Sequence, residues 1–241
     1  MMKDVVMHGA GNRFLLHFGC EDPMTLMKEH EHLDGVLSLT TDEETDFYMS
    51  ICNADGSIAE QCGNGLRCVA LHVVRSNAVK GRHVSINTFA GICHCTVELD
   101  RNEVEVQLSV PETGPKSCHV NESMDSLPEL QYVSMGNPNA VLWTKDDPVE
   151  VRDALAPDIV SNQAFKSGIN LHVARRDDTN HATCASWERG VGPTLASGTG
   201  GASVFVAADV EGPFYVSSIG GVLTYRVVDG CVMMTGPAGY V

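Results

Sequence analysis

The stretch 195-LASGTGGASV-204 decides how this chain is read: a Ser stands directly before a Gly-x-Gly turn, and small and apolar residues follow. That order predicts the start of a helix. Upstream, 61-QCGNGLRCVAL-71 repeats the layout with Cys62 in the place of Ser197. A helix opens with main-chain N–H groups that have no intrahelical partner, and its dipole favours negative charge there. Gly at these positions lets a ligand approach the backbone closely. Cys62-Gly63-Asn64-Gly65 and Ser197-Gly198-Thr199-Gly200 therefore each offer an anion cradle. Facing each other across two lobes, they could hold one carboxylate between two helix N-termini. A helix start also favours a thiolate, so Cys62 is a candidate base, nucleophile or metal ligand.

Working outward, short runs such as 3-KDVVMH-8, 83-HVSINTF-89, 93-CHCTVEL-99, 103-EVEVQLSV-110, 169-INLHVA-174, 182-ATCASWE-188 and 223-LTYRVV-228 read as strands. Several alternate apolar and polar residues, as half-buried strands do. Helical patterns are fewer: 23-PMTLMKEHEHL-33, 63-GNGLRCVALHVVRS-76, 148-PVEVRDALAP-157 and 199-TGGASVFVAAD-209. Strands grouped around single helices predict an α+β fold rather than a regular βαβ winding. Each half leads through strands into a strand-turn-helix unit, which predicts two similar lobes. Residues 1–110 carry Cys62 and residues 111–241 carry Ser197, with the last strand free to return to the N-terminal lobe. The Pro- and Ser-rich stretch 111–130 is expected to be a linker or an edge connection.

The 241 residues carry a formal net charge of −15 and are 43% apolar, enough for a real core. Such acidity repels nucleic-acid phosphates and anionic membrane surfaces, leaving small molecules or proteins as partners. No apolar run approaches the roughly 18 residues of a membrane-spanning helix. Nine irregularly spaced Cys in a chain of this length read as free thiols in a reducing cytoplasm.

Other candidates are weighed on their residue chemistry. Glu188 and Arg189, at the end of a strand just before the second motif, could grip a zwitterion or simply fix a loop. Asn137 in 134-SMGNPNAV-141 suits either turn chemistry or a ligand contact. The run 93-CHC-95 lacks a second Cys/His pair, and 30-HEH-32 lacks metalloprotease spacing, so no metal site is expected. Neither Gly motif has the setting of a dinucleotide fingerprint.

Taken in order, 7-MHGAGNRF-14, 52-CNADGSIAEQCGNGLRC-68, 132-YVSMGNPNAV-141, 187-WERGVGPTLASGTG-200 and 234-MTGPA-238 resemble the diaminopimelate epimerase family, and they span nearly the whole chain. The resemblance implies two lobes, each a mixed sheet around a central helix, with the site in the cleft. It implies a cofactor-independent isomerase of amino-acid biosynthesis, in lysine formation. One thiolate removes the α-proton from one face of an amino acid while a thiol on the other face delivers another. By the same resemblance, Cys62 is one acid–base residue and Ser197 occupies the place of the second, normally Cys. Gly63, Asn64, Gly198 and Thr199 are the cradle, while Asn12, Asn53, Asn137 and Asn170 place amides on the substrate. Glu188 and Arg189 grip its charged groups. Family members often form dimers, so a homodimer is compatible with the resemblance.

Four positions depart from the family pattern: Ser197 for Cys, Asn139 for the His of GNPH, Arg13 for the Asp of GNDF, and Gly35 for a substrate-contacting Gln. A hydroxyl is a far weaker acid than a thiol, so Ser197 touches proton transfer more than binding. An engineered Ser197 would leave Asn139 and Gly35 unexplained, which points to a divergent member. Three readings stay open: a racemase or epimerase, a one-base lyase or dehydratase, and an amino-acid-binding relative that is catalytically impaired.

Overall fold

The computed structural model describes residues 2–30, 32–59, 62–120 and 127–241. The chain divides into two compact units, residues 1–107 with 235–241, and residues 108–234. In the N-terminal unit the chain runs β1 (Val5–Gly9), β2 (Asn12–His17), α1 (Pro23–Glu29), β3 (Gly35–Thr40), β4 (Phe47–Asn53) and β5 (Ile58–Ala59). It continues through α2 (Gly63–Arg75), β6 (His83–Thr88), β7 (Gly91–Glu98) and β8 (Glu103–Gln107). Pairing is antiparallel between β1 and β2, parallel between β2 and β3, and antiparallel between β3 and β4. The short β5 folds back on β4; after α2 the sheet resumes with β6 parallel to β4, then β7 and β8 antiparallel.

The C-terminal unit repeats this plan. Its elements are β9 (Glu112–Thr113), β10 (Gln131–Ser134), β11 (Pro138–Trp143), α3 (Pro148–Val160), β12 (Asn170–Arg176), β13 (His181–Glu188) and β14 (Gly192–Thr194). They are followed by α4 (Gly198–Ala208), β15 (Phe214–Ser218), β16 (Gly221–Val228) and β17 (Cys231–Pro237), whose last three residues belong to the first unit. The pairs β10/β11, β11/β12, β12/β13, β13/β14, β13/β15 and β15/β16 have the orientations of their counterparts in the first unit. Even small devices recur: Thr88 Oγ1 donates to the Gly91 carbonyl (2.8 Å) and Ser218 Oγ to that of Gly221 (3.1 Å), closing equivalent hairpins. The last strand, β18 (Gly239–Tyr240), returns to the N-terminal unit and pairs with β1.

Each unit wraps its sheet round one helix. Residues Asn64–Leu71 of α2 are all buried, and the helix packs on β1, β2, β6, β7 and β8. In α4, residues Gly200–Phe205 are buried against β10–β13, β15 and β16. A helix buried on every side belongs in the middle of a fold. The outer sheet faces carry smaller cores: Leu15, Leu26, Leu33 and Val36 under α1, and Ala140, Leu142, Leu171 and Val173 with Ala156 and Ile159 under α3. Among the described residues no helix is long and apolar enough to cross a membrane.

Two helices end elsewhere than their patterns predict. The helix expected over 23–33 stops at Glu29, with His30 extended, so that the chain can turn and bring Leu33 into the cluster with Leu26. Glu31 of the HEH stretch lies outside the described residues. The helix expected to end at Pro157 continues to Val160, because buried Ile159 anchors its last turn despite the amide that Pro lacks. The stretch after residue 110 is an edge connection inside the C-terminal unit: β9 pairs with β10, and Cys118 is buried in the α3-side core.

Candidate active site

At the N-terminal helix start, Cys62 is the N-cap of α2, with an extended backbone (φ −142°) and its Sγ accepting the Gly65 N–H at 3.3 Å. The thiol is half-buried. The β1–β2 hairpin turns through Ala10 and Gly11, both at positive φ (49° and 90°), and so sets Asn12 beside this helix start. The hairpin sits so close that a Cβ on Gly9 would lie 2.7 Å from the Asn64 carbonyl oxygen. Asn64 Nδ2 donates to Asn12 Oδ1 at 2.6 Å, and Arg67 Nη2 donates to Asn64 Oδ1 at 2.8 Å. Arg67 is fully buried and also donates from Nε to the Pro237 carbonyl at 3.2 Å. A guanidinium only donates. It therefore fixes the Asn64 amide, which fixes Asn12 with its own NH2 turned away from Asn64. Cys62, Gly63, Asn64 and Asn12 are thus brought together.

Asn53 is placed differently. It ends β4, where its Nδ2 donates to Ser57 Oγ at 3.0 Å and its main-chain N–H to the Ser57 carbonyl, closing the 53-NADGS-57 turn. Its register partner is Gly35, where an added Cβ would stand 2.8 Å from the Cys52 carbonyl oxygen. Position 35 is therefore packed for Gly. Arg13 follows Asn12 on β2 and shares the face of Leu15, the face toward α1 rather than α2.

At the C-terminal helix start, Ser197 caps α4 as Cys62 caps α2: its backbone is extended (φ −127°) and its Oγ accepts the Gly200 N–H at 3.1 Å. Ser197 is buried, and its hydroxyl lies near the Glu188 carboxyl at the end of β13. Burial pushes the Glu188 carboxyl above its ordinary range, and the nearby Ser197 hydroxyl pulls the other way by a smaller amount. Arg189 turns to a different partner: its Nη1 donates to the Ser167 carbonyl and its main-chain N–H to Asn170 Oδ1 at 2.8 Å. Asn137 Nδ2 donates to Thr199 Oγ1 at 3.2 Å. The Tyr225 hydroxyl donates to the Gly198 carbonyl at 2.9 Å, pinning the first turn of α4 from below.

Two buried residues of these networks were not singled out from sequence. Arg67 lies three residues after Asn64, one helical turn away, so its reach to that amide is legible in helix periodicity. His172 lies two residues after Asn170 on β12, hence on the same sheet face, next to Gly200 of α4. Its burial drives the imidazole pKa down to about 3. The 93-CHC-95 run has Cys93 and Cys95 buried and His94 exposed, the alternation of an ordinary strand. Among the described residues no three His, Cys, Asp or Glu are grouped as metal ligands.

A doubled α+β plan with a capped helix start in each half defines a known class of protein. The fold is shared with a PhzF-family phenazine biosynthesis protein of Bacillus anthracis (TM-score 0.70, 18% identity, covering 100% of this chain and 98% of that one). It is shared as well with a hydroxyproline epimerase of Agrobacterium vitis (TM-score 0.68, 14% identity, 99% and 88% covered). Within that class the chain belongs to the diaminopimelate epimerase family, whose model matches residues 5–114 and 131–241. It is 30% identical to the diaminopimelate epimerase of Heliobacterium modesticaldum over 98% of this chain and 96% of the relative. It is 32% identical to that of Desulfitobacterium hafniense over 100% and 96%. Membership makes it an isomerase of the cofactor-independent amino-acid racemase and epimerase type.

Proposed function

We propose that this protein inverts the α-carbon of diaminopimelate or a close amino-acid analogue by two-base proton transfer between Cys62 and a Ser197–Glu188 pair. The observation that carries this reading is the matched capping: a thiol and a hydroxyl hold the same position at two helix starts. The main-chain N–H groups of Gly63, Asn64, Gly198 and Thr199 would receive the substrate carboxylate, where carbanion charge develops. Asn12, Asn53, Asn137, Asn170, Glu188 and Arg189 supply the polar contacts around it.

In one direction the Cys62 thiolate takes the α-proton and becomes a thiol. The carbanion then takes the Ser197 hydroxyl proton as the protonated Glu188 passes its own proton to Ser197 Oγ. Cys62 gains one proton and Glu188 loses one, and the other direction reverses both steps. A carboxyl raised by burial keeps its proton nearer neutral pH, which suits a donor working through a hydroxyl. The nine Cys keep their thiols unbridged, which suits a reducing cytoplasm. Relatives of this family support an amino acid as partner, and sedimentation measures whether a homodimer forms.

The test is solvent deuterium exchange at the α-carbon across an amino-acid panel led by diaminopimelate, without added cofactor. Exchange is expected in the parent, should increase in Ser197→Cys, and should drop by about 10²–10⁴-fold in Cys62→Ala. No exchange with any amino acid, before or after Ser197→Cys, overturns the proposal.

A further inference from the structure

Asn139 is fully buried, yet five polar atoms of other residues and of its own turn converge on its amide. One end lies 3.2 Å from the Val133 carbonyl oxygen, 2.8 Å from that of Asn137 and 3.1 Å from Asn137 Oδ1. Main-chain carbonyls only accept, so this end is the NH2. The other end is then Oδ1, which receives Asn170 Nδ2 at 3.1 Å and His172 Nε2 at 3.0 Å. Every neighbour is settled in turn. Asn137 presents its Oδ1 to Asn139, and its NH2 turns to Thr199 Oγ1. Asn170 presents its NH2, and its Oδ1 accepts the Arg189 N–H. His172 carries its proton on Nε2, so Nδ1 accepts the Ser186 hydroxyl at 2.9 Å. Turning the Asn139 amide over would set oxygen against three oxygens and an NH2 against two donors, a conflict that a buried network does not tolerate.

We propose that Asn139, held between His172 and two main-chain carbonyls, is a positioning residue that fixes which end of the Asn137 and Asn170 amides faces the ligand. The inference rests on the proposed function in taking Asn137 and Asn170 as substrate contacts. Where the resemblance leads one to expect His, position 139 thus holds a fixed dipole in place of a titrating group. The imidazole stands on the neighbouring strand and serves as the hydrogen-bond donor that completes the hub.

The full-length protein labelled with ¹⁵N-histidine tests this directly, with the His172 ring signal assigned by its loss in His172→Gln. A neutral Nε2–H tautomer that does not titrate between about pH 5.5 and 8.5 is expected from a buried, doubly bonded ring. An Nδ1–H tautomer, or an imidazolium in that range, overturns the inference.

The kinetic arm uses Asn139→Asp, which keeps the shape but loses the NH2, and His172→Phe, which keeps a ring but loses the donor. Variants with native circular dichroism are expected to show KM for diaminopimelate raised about tenfold with kcat changed less than about threefold, the pattern of lost positioning. His172→Gln, which restores a donor, should bring KM back to within about threefold of the parent. Unchanged KM in both Asn139→Asp and His172→Phe overturns the inference. If neither the parent nor Ser197→Cys exchanges an α-proton, the proposed function fails by itself. The tautomer, with the side-chain amide shifts of Asn137 and Asn170 in Asn139→Asp, then decides the inference: shifted amides uphold it and unmoved amides overturn it.

Discussion

Glu188 carries a carboxyl that burial raises above its ordinary value of 4.5, and the nearby Ser197 hydroxyl offsets a smaller part of that rise. A raised carboxyl means that the native state prefers the neutral form. Its contribution to stability is present below pH 4.5 and is lost as pH rises through the raised value. Glu188→Gln imitates the neutral form at every pH. The variant should therefore melt above the parent at pH 8, with the difference closing as pH falls below about 4.5, followed by thermal unfolding across that range. Its α-proton exchange should meanwhile fall by about 10²–10⁴-fold, the usual worth of an acid–base group. A Glu188→Gln variant that melts below the parent at pH 8 would contradict the burial argument. At this scale the sequence revealed residue types and spacing but not partners. The Ser-for-Cys exchange at 197 was plain, whereas the Glu188 contact depends on β13 and the α4 cap converging. Asn139 was plain as a departure from the family's His, and only the strand register beside Asn170 shows it as a hub.

At the scale of elements, the two helix starts were the most legible feature, because capping is local chemistry written in consecutive residues. Their supports were not, since these come from residues far apart in the chain. Arg67 joins Asn64 on its own helix to Pro237 near the C-terminus. Replacing it with Met keeps much of the volume but strands the Asn64 amide oxygen in a buried site. A buried stranded acceptor costs about 1–3 kcal/mol, so Arg67→Met should lose at least that much in urea unfolding. Exchange activity should drop with it, because Asn12 loses its orientation. Helix lengths were harder to read for the same reason: Leu33 and Ile159 belong to clusters that only the folded sheets assemble.

Across the whole molecule, one strand plan is built twice, and the resemblance of the two halves was readable from the matched motifs although the strand pairings were not. Parallel pairs such as β2/β3 and β11/β12 join strands separated by a helix, which no local pattern announces. The chain's last seven residues, Thr235–Val241, complete the first unit, where Tyr240 meets His72 Nδ1 through its hydroxyl at 3.0 Å and Val241 N–H donates to the Val6 carbonyl. Ending the chain at Met234 should therefore speed hydrogen exchange at the amides of β1 and α2 while those of β11–β13 keep their protection. Equal loss in both sets would show that the units do not unfold separately. The duplication also makes the molecule its own control experiment. Two copies of one helix start have been carried in a single chain, one ending in sulfur and one in oxygen, and both satisfy the same main-chain amide. Either atom can thus close such a cap, and what separates the two is their acidity.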